Sequence, residues 1–295
     1  GCKLVVNVQT VFTREMSSEL FLVMQENGLN MQDVLIPEGI EEIAPGAFCG
    51  RNEIKRVKLP KTLKRISDVA FYGCSRLESI DLPKGTKEIG TAAFKGSGLT
   101  RIELPPKVAK IGSEAFADTP LTTAEIKCGC AGIAMFRGCA QLRKLTISER
   151  IQTLPAGMVR DCTALRTIAL PENLRKIEKD AFHGCSSLVN VSIPPQVADI
   201  GSGAFYGSGI RKVILPQDIR VIRWQTFEEC CRLRMIYLPR AVTCVEAEAF
   251  YHCDALEKVC FEAELGKAVA LEIGEGNQPL MKASIKCGIQ RTQLV

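Results

Sequence analysis

The sequence is poor in aromatic residues and has no long apolar run. Aromatic side chains make up 6% of the 295 residues, and Trp224 is the only tryptophan. A core would therefore depend on Leu, Ile and Val. No segment reaches the ~20 continuous apolar residues that a membrane-spanning helix needs, so we expect no membrane insertion. Apolar residues at 46% and charged residues at 24% argue against a disordered or collagen-like chain.

The chain also has little excess of one sign of charge over the other. The formal net charge is only +5, and Lys and Arg alternate with Asp and Glu along the chain. Proteins that bind nucleic acids typically cluster their basic residues in a patch or stripe. The pattern therefore predicts that the partner is not a nucleic acid.

What dominates the sequence is an internal repeat of 22 or 23 residues. It is clearest in VKLPKTLKRISDVAFYGCSRLESI from Val57 and IALPENLRKIEKDAFHGCSSLVNV from Ile168. In two degenerate units Lys127 and Ser148 replace the proline of the repeat. Ten units of 20–24 residues therefore occupy 34–258, between an N-terminal cap segment, 1–33, and a degenerate C-terminal cap, 259–295. The prolines that mark the period are Pro37, Pro60, Pro83, Pro105, Pro171, Pro194, Pro216 and Pro239.

Each unit has the pattern of a short strand, a proline, a second extended stretch and a turn. Ile80 and Leu82 alternate with polar residues, which predicts a strand that points both side chains inward. Proline ends the strand because it has no N–H for the ladder. Ala70 and Phe71 plug the core from a short helical turn, which Gly73 closes at positive φ. Since one unit cannot bury its own apolar residues, we predict a right-handed repeat solenoid of stacked parallel strands.

The period makes these predictions specific. Outside the repeat, Leu4 to Val8 predicts a strand and Ser18 to Asn27 a short helix. Parallel strands should lie near 55–59, 78–82, 100–104, 166–170, 189–193, 211–215 and 234–238. The side chains that should be almost fully buried in the turns are Phe71, Phe94, Phe182, Phe205 and Phe250.

The repeat resembles the BspA-like leucine-rich repeats. The resemblance covers all ten units, because the LP and AF-x-G-C pairs recur in register. It implies a leucine-rich-repeat fold in a surface-exposed bacterial or protozoal protein that binds host or cell-surface macromolecules. The residues that carry it in the second unit are Leu59-Pro60, Ile66, Ala70-Phe71, Gly73-Cys74 and Leu77.

Two units depart from the pattern. In the fifth, Cys128-Gly129-Cys130 follows the strand, and two residues are missing before Phe136. In the sixth, Val159 takes the position of the phenylalanine. We expect a local kink or a change of curvature at these units.

The 14 cysteines admit more than one interpretation. Six of them lie three residues after the phenylalanine position, which favours a ladder of small buried thiols and a reducing environment. Disulfides between adjacent rungs, such as Cys162 with Cys185, are the alternative, although they must satisfy a demanding dihedral angle. The six ladder cysteines are Cys74, Cys139, Cys162, Cys185, Cys230 and Cys253.

The sequence offers little for metal binding or catalysis. Cys128 and Cys130 fall short of the four ligands of a structural zinc site, and we interpret His183 and His252 as surface turn residues. The sequence has no G-x-S-x-G, P-loop or H-E-x-x-H motif. The carboxylates Asp81, Glu103 and Glu125 recur on successive strands, where we interpret them as a solvated acidic stripe. We therefore expect no metal, no cofactor and no enzymatic activity.

The outward positions of the first strand of each unit should form the face where a partner docks. They are mainly charged or polar until the ninth and tenth units, where Ile214, Met235 and Tyr237 lie between Lys212 and Lys258. Grouped exposed apolar residues often mark partner sites, so we predict that these five residues bind a partner. The alternative is that the C-terminal cap folds over them as ordinary core.

These features predict a non-enzymatic module that binds a protein or another cell-surface macromolecule. The leading interpretation is cell-surface adhesion or protein–protein interaction, and the alternative is a structural spacer or scaffold within a larger protein. The family resemblance favours a cell-surface or secreted location. A cytoplasmic location stays open because the ladder cysteines are expected to be reduced.

Overall fold

The computed structural model describes residues 10–28, 31–262 and 271–290. The chain winds into a solenoid of short parallel strands with little helix, which confirms the predicted fold. A regular coil contributes one strand before the proline position and one after it. We call the first set the front ladder and the second set the back ladder.

The front ladder carries the seven strands predicted from the proline period, and all of them pair in parallel. Strands β8 and β19 end immediately before Pro105 and Pro239, as expected from the missing N–H. Its strands are β2 (Asp33–Leu35), β4 (Arg56–Lys58), β6 (Ser79–Ile80), β8 (Arg101–Leu104), β10 (Thr123–Ile126), β11 (Lys144–Ile147), β13 (Thr167–Ile168), β15 (Asn190–Val191), β17 (Lys212–Ile214), β19 (Met235–Leu238), β21 (Lys258–Phe261) and β23 (Ser284–Lys286).

The back ladder is made of two-residue strands. Each keeps equivalent residues of successive coils side by side, as Ile43, Ile66 and Ile89 do. Its strands are β1 (Val11–Phe12), β3 (Glu42–Ile43), β5 (Arg65–Ile66), β7 (Glu88–Ile89), β9 (Lys110–Ile111), β12 (Thr153–Leu154), β14 (Lys176–Ile177), β16 (Asp199–Ile200), β18 (Val221–Ile222), β20 (Cys244–Val245) and β22 (Glu272–Ile273).

The turns between the back ladder and the next front strand also bond from coil to coil. The Phe71 amide donates to the Ala93 carbonyl at 2.7 Å, and the Phe94 amide donates to the Ala115 carbonyl at 2.8 Å. The five predicted phenylalanines are at most 1% exposed, which confirms the prediction. Their rings stack along the axis with centroids 5.0–5.6 Å apart over most of the solenoid. This spacing is slightly larger than the ~4.8 Å between parallel strands.

Equivalent turn positions in successive units have the same backbone conformation, even where the residue type differs. Gly73 has φ of 66°, as predicted. A second left-handed position lies two residues before each phenylalanine, where Gly46, Gly157 and Gly203 occur. In the second unit Val69 occupies it at φ of 51°, although a β-branched residue is strained in this region.

Both ends extend the ladders. Helix α1 (Arg14–Glu26) contains most of the predicted Ser18–Asn27 helix and begins earlier, because the Thr13 hydroxyl accepts a hydrogen bond from the Met16 amide. The predicted strand at Leu4 to Val8 lies outside the described residues. Phe12 stacks on Phe48 at 5.1 Å and so extends the ring column beyond the repeats. At the other end, β22, helix α2 (Gln278–Lys282) and β23 form a further coil.

The fifth and sixth units interrupt this regularity. Within the described part of the chain, the back ladder has no strand between β9 and β12. The Phe116 and Phe136 rings are 5.9 Å apart and tilted by 28°, compared with tilts of 2–6° between Phe48 and Phe116. Val159 then takes the ring position and is buried. The irregularity lies where the sequence predicts it.

Candidate binding surface

The front ladder presents one regular face to solvent. Burial alternates strictly along β8 and β11, so that Ile102, Leu104, Leu145 and Ile147 point into the core. Between them, the outward positions of β8, β10 and β11 carry Arg101, Glu103, Thr123, Glu125, Lys144 and Thr146. Because the three strands are in register, these side chains form two parallel rows across the solenoid.

An open groove lies on this face across β6, β8, β10 and β11. Its volume is about 950 Å³. The apolar part of the floor comes from Ile80, Ile102 and Ala124, and the prolines Pro105 and Pro106 form part of the wall. The charged residues that line the groove are Asp81, Lys84, Arg101, Glu103, Lys107, Glu125, Lys127 and Lys144.

The acidic stripe predicted from the sequence is partly neutralised in this groove. The Lys127 ammonium lies 2.6 Å from a Glu103 carboxylate oxygen and 3.7 Å from one of Glu125. The hydrogen bond to Glu103 raises the pKa of Lys127. Lys127 replaces the proline of the fifth unit, so the degenerate position supplies a cation to the groove. Sequence reasoning treated Lys127 only as a lost proline and missed this contact.

Other charges of the groove are available to a partner. Asp81, Arg101 and Lys144 are exposed, and none of them forms an ion pair with another residue that the structure describes. Charges of both signs therefore lie on one face, and a partner could satisfy them. This arrangement favours recognition of a polar surface of mixed charge over acid–base chemistry.

The predicted C-terminal patch is only partly exposed. Lys212, Met235 and Lys258 are neighbours in register on β17, β19 and β21. Lys212 is exposed, whereas Ile214, Met235 and Lys258 are half-buried. These four side chains lie together on the front face.

The expectation that Tyr237 is exposed is wrong. Its side chain is 0% exposed, and Cys260 beside it in the sheet is also buried. Gln217 donates one hydrogen bond to the Tyr237 hydroxyl at 3.3 Å and another to the Glu262 carboxylate at 3.2 Å. Glu262 also accepts from the Arg240 amide at 3.1 Å. Glu262, which directly follows β21, is thus tied to residues at this end of the face, and Tyr237 lies buried beneath the patch.

The six ladder cysteines are buried and bonded in the same way. Each thiol donates to the carbonyl oxygen of the phenylalanine position in the preceding coil, for example Cys185 to Val159. These S···O distances are 2.9–3.2 Å. Burial raises the pKa of Cys74 and Cys185 to about 12 and that of Cys139 to about 11. The thirteen described cysteines contain no disulfide.

The two histidines and the cysteine pair, which the sequence offered as possible metal ligands, do not come together in one site. His252 is exposed in its turn, and His183 stacks on Tyr206 with ring centroids 4.5 Å apart. Cys128 and Cys130 lie close together with their sulfur atoms 3.9 Å apart. Over residues 10–28, 31–262 and 271–290, no group of three His, Cys, Asp or Glu side chains is placed to hold a metal ion. No helix in those ranges is long and apolar enough to span a membrane.

Three solved structures match this chain to different degrees. A leucine-rich repeat protein from Bacteroides ovatus is 24% identical with a TM-score of 0.61, over 87% of this chain and 62% of that one. The pneumococcal vaccine antigen PcpA is 18% identical with a TM-score of 0.52, over 88% and 79% of the two chains. A leucine rich cell surface protein from Faecalibacterium prausnitzii is 21% identical with a TM-score of 0.42, over 90% of each chain. The first two likenesses concern the fold alone.

The family itself is identified at the level of sequence. This chain spans only 62% of the Bacteroides ovatus protein, and no curated protein matches it. The model of the BspA type leucine rich repeat region matches six copies, over residues 24–135, 129–231 and 159–268. These matches cover most of the ten units that the proline period defines. The chain therefore belongs to the BspA type leucine-rich-repeat family.

Proposed function

We propose that this protein is a non-enzymatic module that binds a protein partner through the outward face of the front ladder. The groove over β6, β8, β10 and β11 carries the proposal, because it combines an apolar floor with exposed charges of both signs. Short parallel strands fix these side chains on a rigid grid, which lowers the entropy lost on binding. Membership in a family of repeat proteins that commonly bind proteins supports the same role.

The C-terminal patch is a second contact in this proposal. Ile214 and Met235 offer apolar surface, and Lys212 and Lys258 flank them. Met is enriched in the centre of protein interfaces. A partner that lies along the front ladder would contact the groove with its polar surface and the patch with an apolar side chain.

A structural spacer is the competing role. A spacer would be evenly polar along its length, whereas this face has a charged groove in its middle and apolar side chains towards its C-terminal end. This uneven distribution favours a binding module. Cell-surface adhesion is the setting we propose, because the family and the pneumococcal antigen of the same fold are consistent with display on a bacterial surface. Protease treatment of intact cells tests the location: a surface protein is cleaved, whereas a cytoplasmic one is protected.

Binding is tested by capture from cell-surface and host-matrix extracts, followed by affinity measurement with the captured protein. Arg101→Glu combined with Lys144→Glu should weaken binding by about tenfold or more, equal to ~1.4 kcal/mol. Lys87→Glu is the matched control, because Lys87 is exposed beside the back ladder of the third unit. Equal affinities of all three proteins would refute the groove as the binding site.

The patch is tested separately with the same partner. Ile214→Ser combined with Met235→Ser should weaken binding and lower the melting temperature by only a few degrees, since both side chains are half-buried and not part of the core. Leu35→Ser is the control, because Leu35 is exposed at the equivalent outward position of β2. Early unfolding of the double variant with normal affinity would make the patch structural.

A further inference from the structure

The only Cys-x-Cys sequence of the chain lies at the break in the back ladder. Cys128 follows the end of β10 by two residues, and the chain bends at 128 and 129, just before the segment that is a second strand in other units and is not one here. Gly129 is exposed, and a Cβ there would lie 3.3 Å from the Cβ of Arg150. The segment after this bend therefore has no strand pairing to lose when the backbone adjusts.

The bend brings the two sulfur atoms together. They are 3.9 Å apart, and the Cys130 thiol is placed to donate either to the Cys128 sulfur or to the Val108 carbonyl at 3.5 Å. The Cys128 thiol donates to the Cys130 carbonyl at 3.3 Å. A disulfide requires a sulfur–sulfur distance of ~2.05 Å, so closure needs a shift of about 2 Å. Rotation about the side-chain bonds and adjustment at Gly129 can supply this shift.

The two thiols differ in their access to solvent. Cys128 is 0% exposed, whereas Cys130 is half-buried and lines a second open cavity of about 450 Å³. Arg150, Gln152 and Glu178 line the same cavity. A small molecule can therefore reach Cys130 from solvent and cannot reach Cys128 directly.

We propose that Cys128 and Cys130 form a redox-active dithiol that reduces small-molecule disulfides. The Cys130 thiol passes its proton to the ionised Cys128 sulfur and attacks one sulfur of the small disulfide, which forms a mixed disulfide and releases the first thiolate. The Cys128 thiol gives its proton to that released thiolate, attacks the Cys130 sulfur, closes the Cys128–Cys130 disulfide and releases the second thiolate. The two cysteines lose two electrons and two protons in total, and the small disulfide becomes two thiols.

Local electrostatics separate this pair from the ladder cysteines. The hydrogen bond from the Cys130 thiol lowers the pKa of Cys128 and raises that of Cys130, so the pair ionises at Cys128, whose sulfur can take the Cys130 proton as Cys130 attacks. In the ladder, by contrast, burial raises the pKa of Cys185 and keeps its thiol protonated. Since the thiolate is the reactive form, exchange should be confined to the pair and to exposed cysteines.

Glutathione disulfide is a direct probe of this site, and the inference does not depend on the proposed partner binding. The reduced protein is incubated with the probe, alkylated under denaturing conditions and mapped by mass spectrometry. We expect the peptide that contains both cysteines to lose two hydrogen atoms and to carry no lasting glutathione adduct. A stable adduct on Cys130 of the unsubstituted protein, or an unmodified pair, would overturn the proposal.

Substitutions sharpen the result because the two cysteines have different roles. Cys128→Ser should trap glutathione on Cys130, with roughly tenfold more adduct there than in the unsubstituted protein. Cys130→Ser should leave Cys128 unmodified, because Cys128 is buried. Cys49→Ser, at an exposed cysteine elsewhere, is the control and should form the Cys128–Cys130 disulfide normally. Adduct formation on Cys128 in the Cys130→Ser variant would contradict the assigned order, and the result with the unsubstituted protein stands even where a variant fails to fold.

Discussion

The second to fourth units and the fifth and sixth units share one repeat pattern, but the first group is regular and the second group is not. In the former, Phe71, Phe94 and Phe116 stack with ring planes within 4° of parallel, and β5, β7 and β9 pair without interruption. In the latter, the back ladder is broken and Val159 stands in the ring column. The front ladder nevertheless continues through the fifth unit, where β10 pairs with β8 and β11.

This difference shows that the front ladder and the back ladder depend on different parts of the repeat. The front ladder depends on alternation within four-residue strands, which the fifth unit keeps. The back ladder depends on residues before the phenylalanine, two of which the fifth unit lacks. A repeat can therefore lose part of its back side and still keep its front strand in register with its neighbours. The irregular back side then holds the Cys128–Cys130 pair, while Lys127 reaches the front groove.

Removing a ring should have the largest effect. Phe94 stacks on Phe71 and on Phe116, with both centroid distances 5.2 Å. Phe94→Ala should lower the free energy of unfolding by ~3–5 kcal/mol, because a cavity replaces a fully buried ring. Val159→Ala, in the irregular region, should cost about 2 kcal/mol, because it removes less buried surface. Urea denaturation measures both.

Tyr72→Ala is the matched control, because Tyr72 is 41% exposed next to the ring column. It should change stability by less than ~0.5 kcal/mol. A loss below ~1 kcal/mol for Phe94→Ala would show that the column does not hold the core together.

The second-largest effect should come from high pH, which should weaken the ladder of buried cysteine thiols. Cys185 has an ordinary pKa of 9.0, which burial raises to about 12 in the folded state. Its stabilising contribution is fully present below pH 9.0 and is lost as pH rises towards about 12, because only the unfolded chain ionises in that window. Each such thiol should cost roughly 1 kcal/mol per pH unit above its unfolded pKa.

Denaturation at about pH 8 and about pH 10 measures this loss. Cys185→Ala should reduce the pH-dependent part by roughly 1 kcal/mol, whatever the substitution costs at neutral pH. Replacement of the exposed Cys231, whose pKa partial burial also raises, should change the pH dependence less than Cys185→Ala does. An identical dependence in the unsubstituted protein and Cys185→Ala would show that this thiol ionises as easily in the folded state as in the unfolded chain.

Relief of backbone strain should have the smallest effect. Val69 occupies a left-handed position at φ of 51°, where Gly46 and Gly157 occur in other units. Val69→Gly should raise the free energy of unfolding by about 1 kcal/mol, because glycine adopts this conformation without steric cost. Thermal unfolding of Val69→Gly measures it, with Val221→Gly in a strand as a control that should destabilise. A lower melting temperature for Val69→Gly would mean that lost packing outweighs the strain.

The repeat makes most of the fold predictable from the sequence, whereas the surroundings of individual residues such as Tyr237 and Val69 are harder to predict. The proline period and the Ala-Phe pairs predict strands and buried rings, because each coil repeats the same local physics. Sequence left Tyr237 open between an exposed partner site and buried core, because its surroundings include Gln217 and Glu262, which are far apart in sequence. The left-handed position of Val69 had a signal in the glycines at equivalent positions, which sequence reasoning did not use.

Lysine labelling tests the central claim, that the front face of the solenoid is the binding surface. The protein is treated with an amine-reactive reagent with and without its captured partner, and each lysine is quantified by mass spectrometry. Lys84, Lys107 and Lys144 line the groove, and Lys87 and Lys179 are exposed beside the back ladder. The account predicts that the partner protects the first three and leaves the other two reactive. Protection of Lys87 and Lys179 with undiminished labelling of the groove lysines would contradict it.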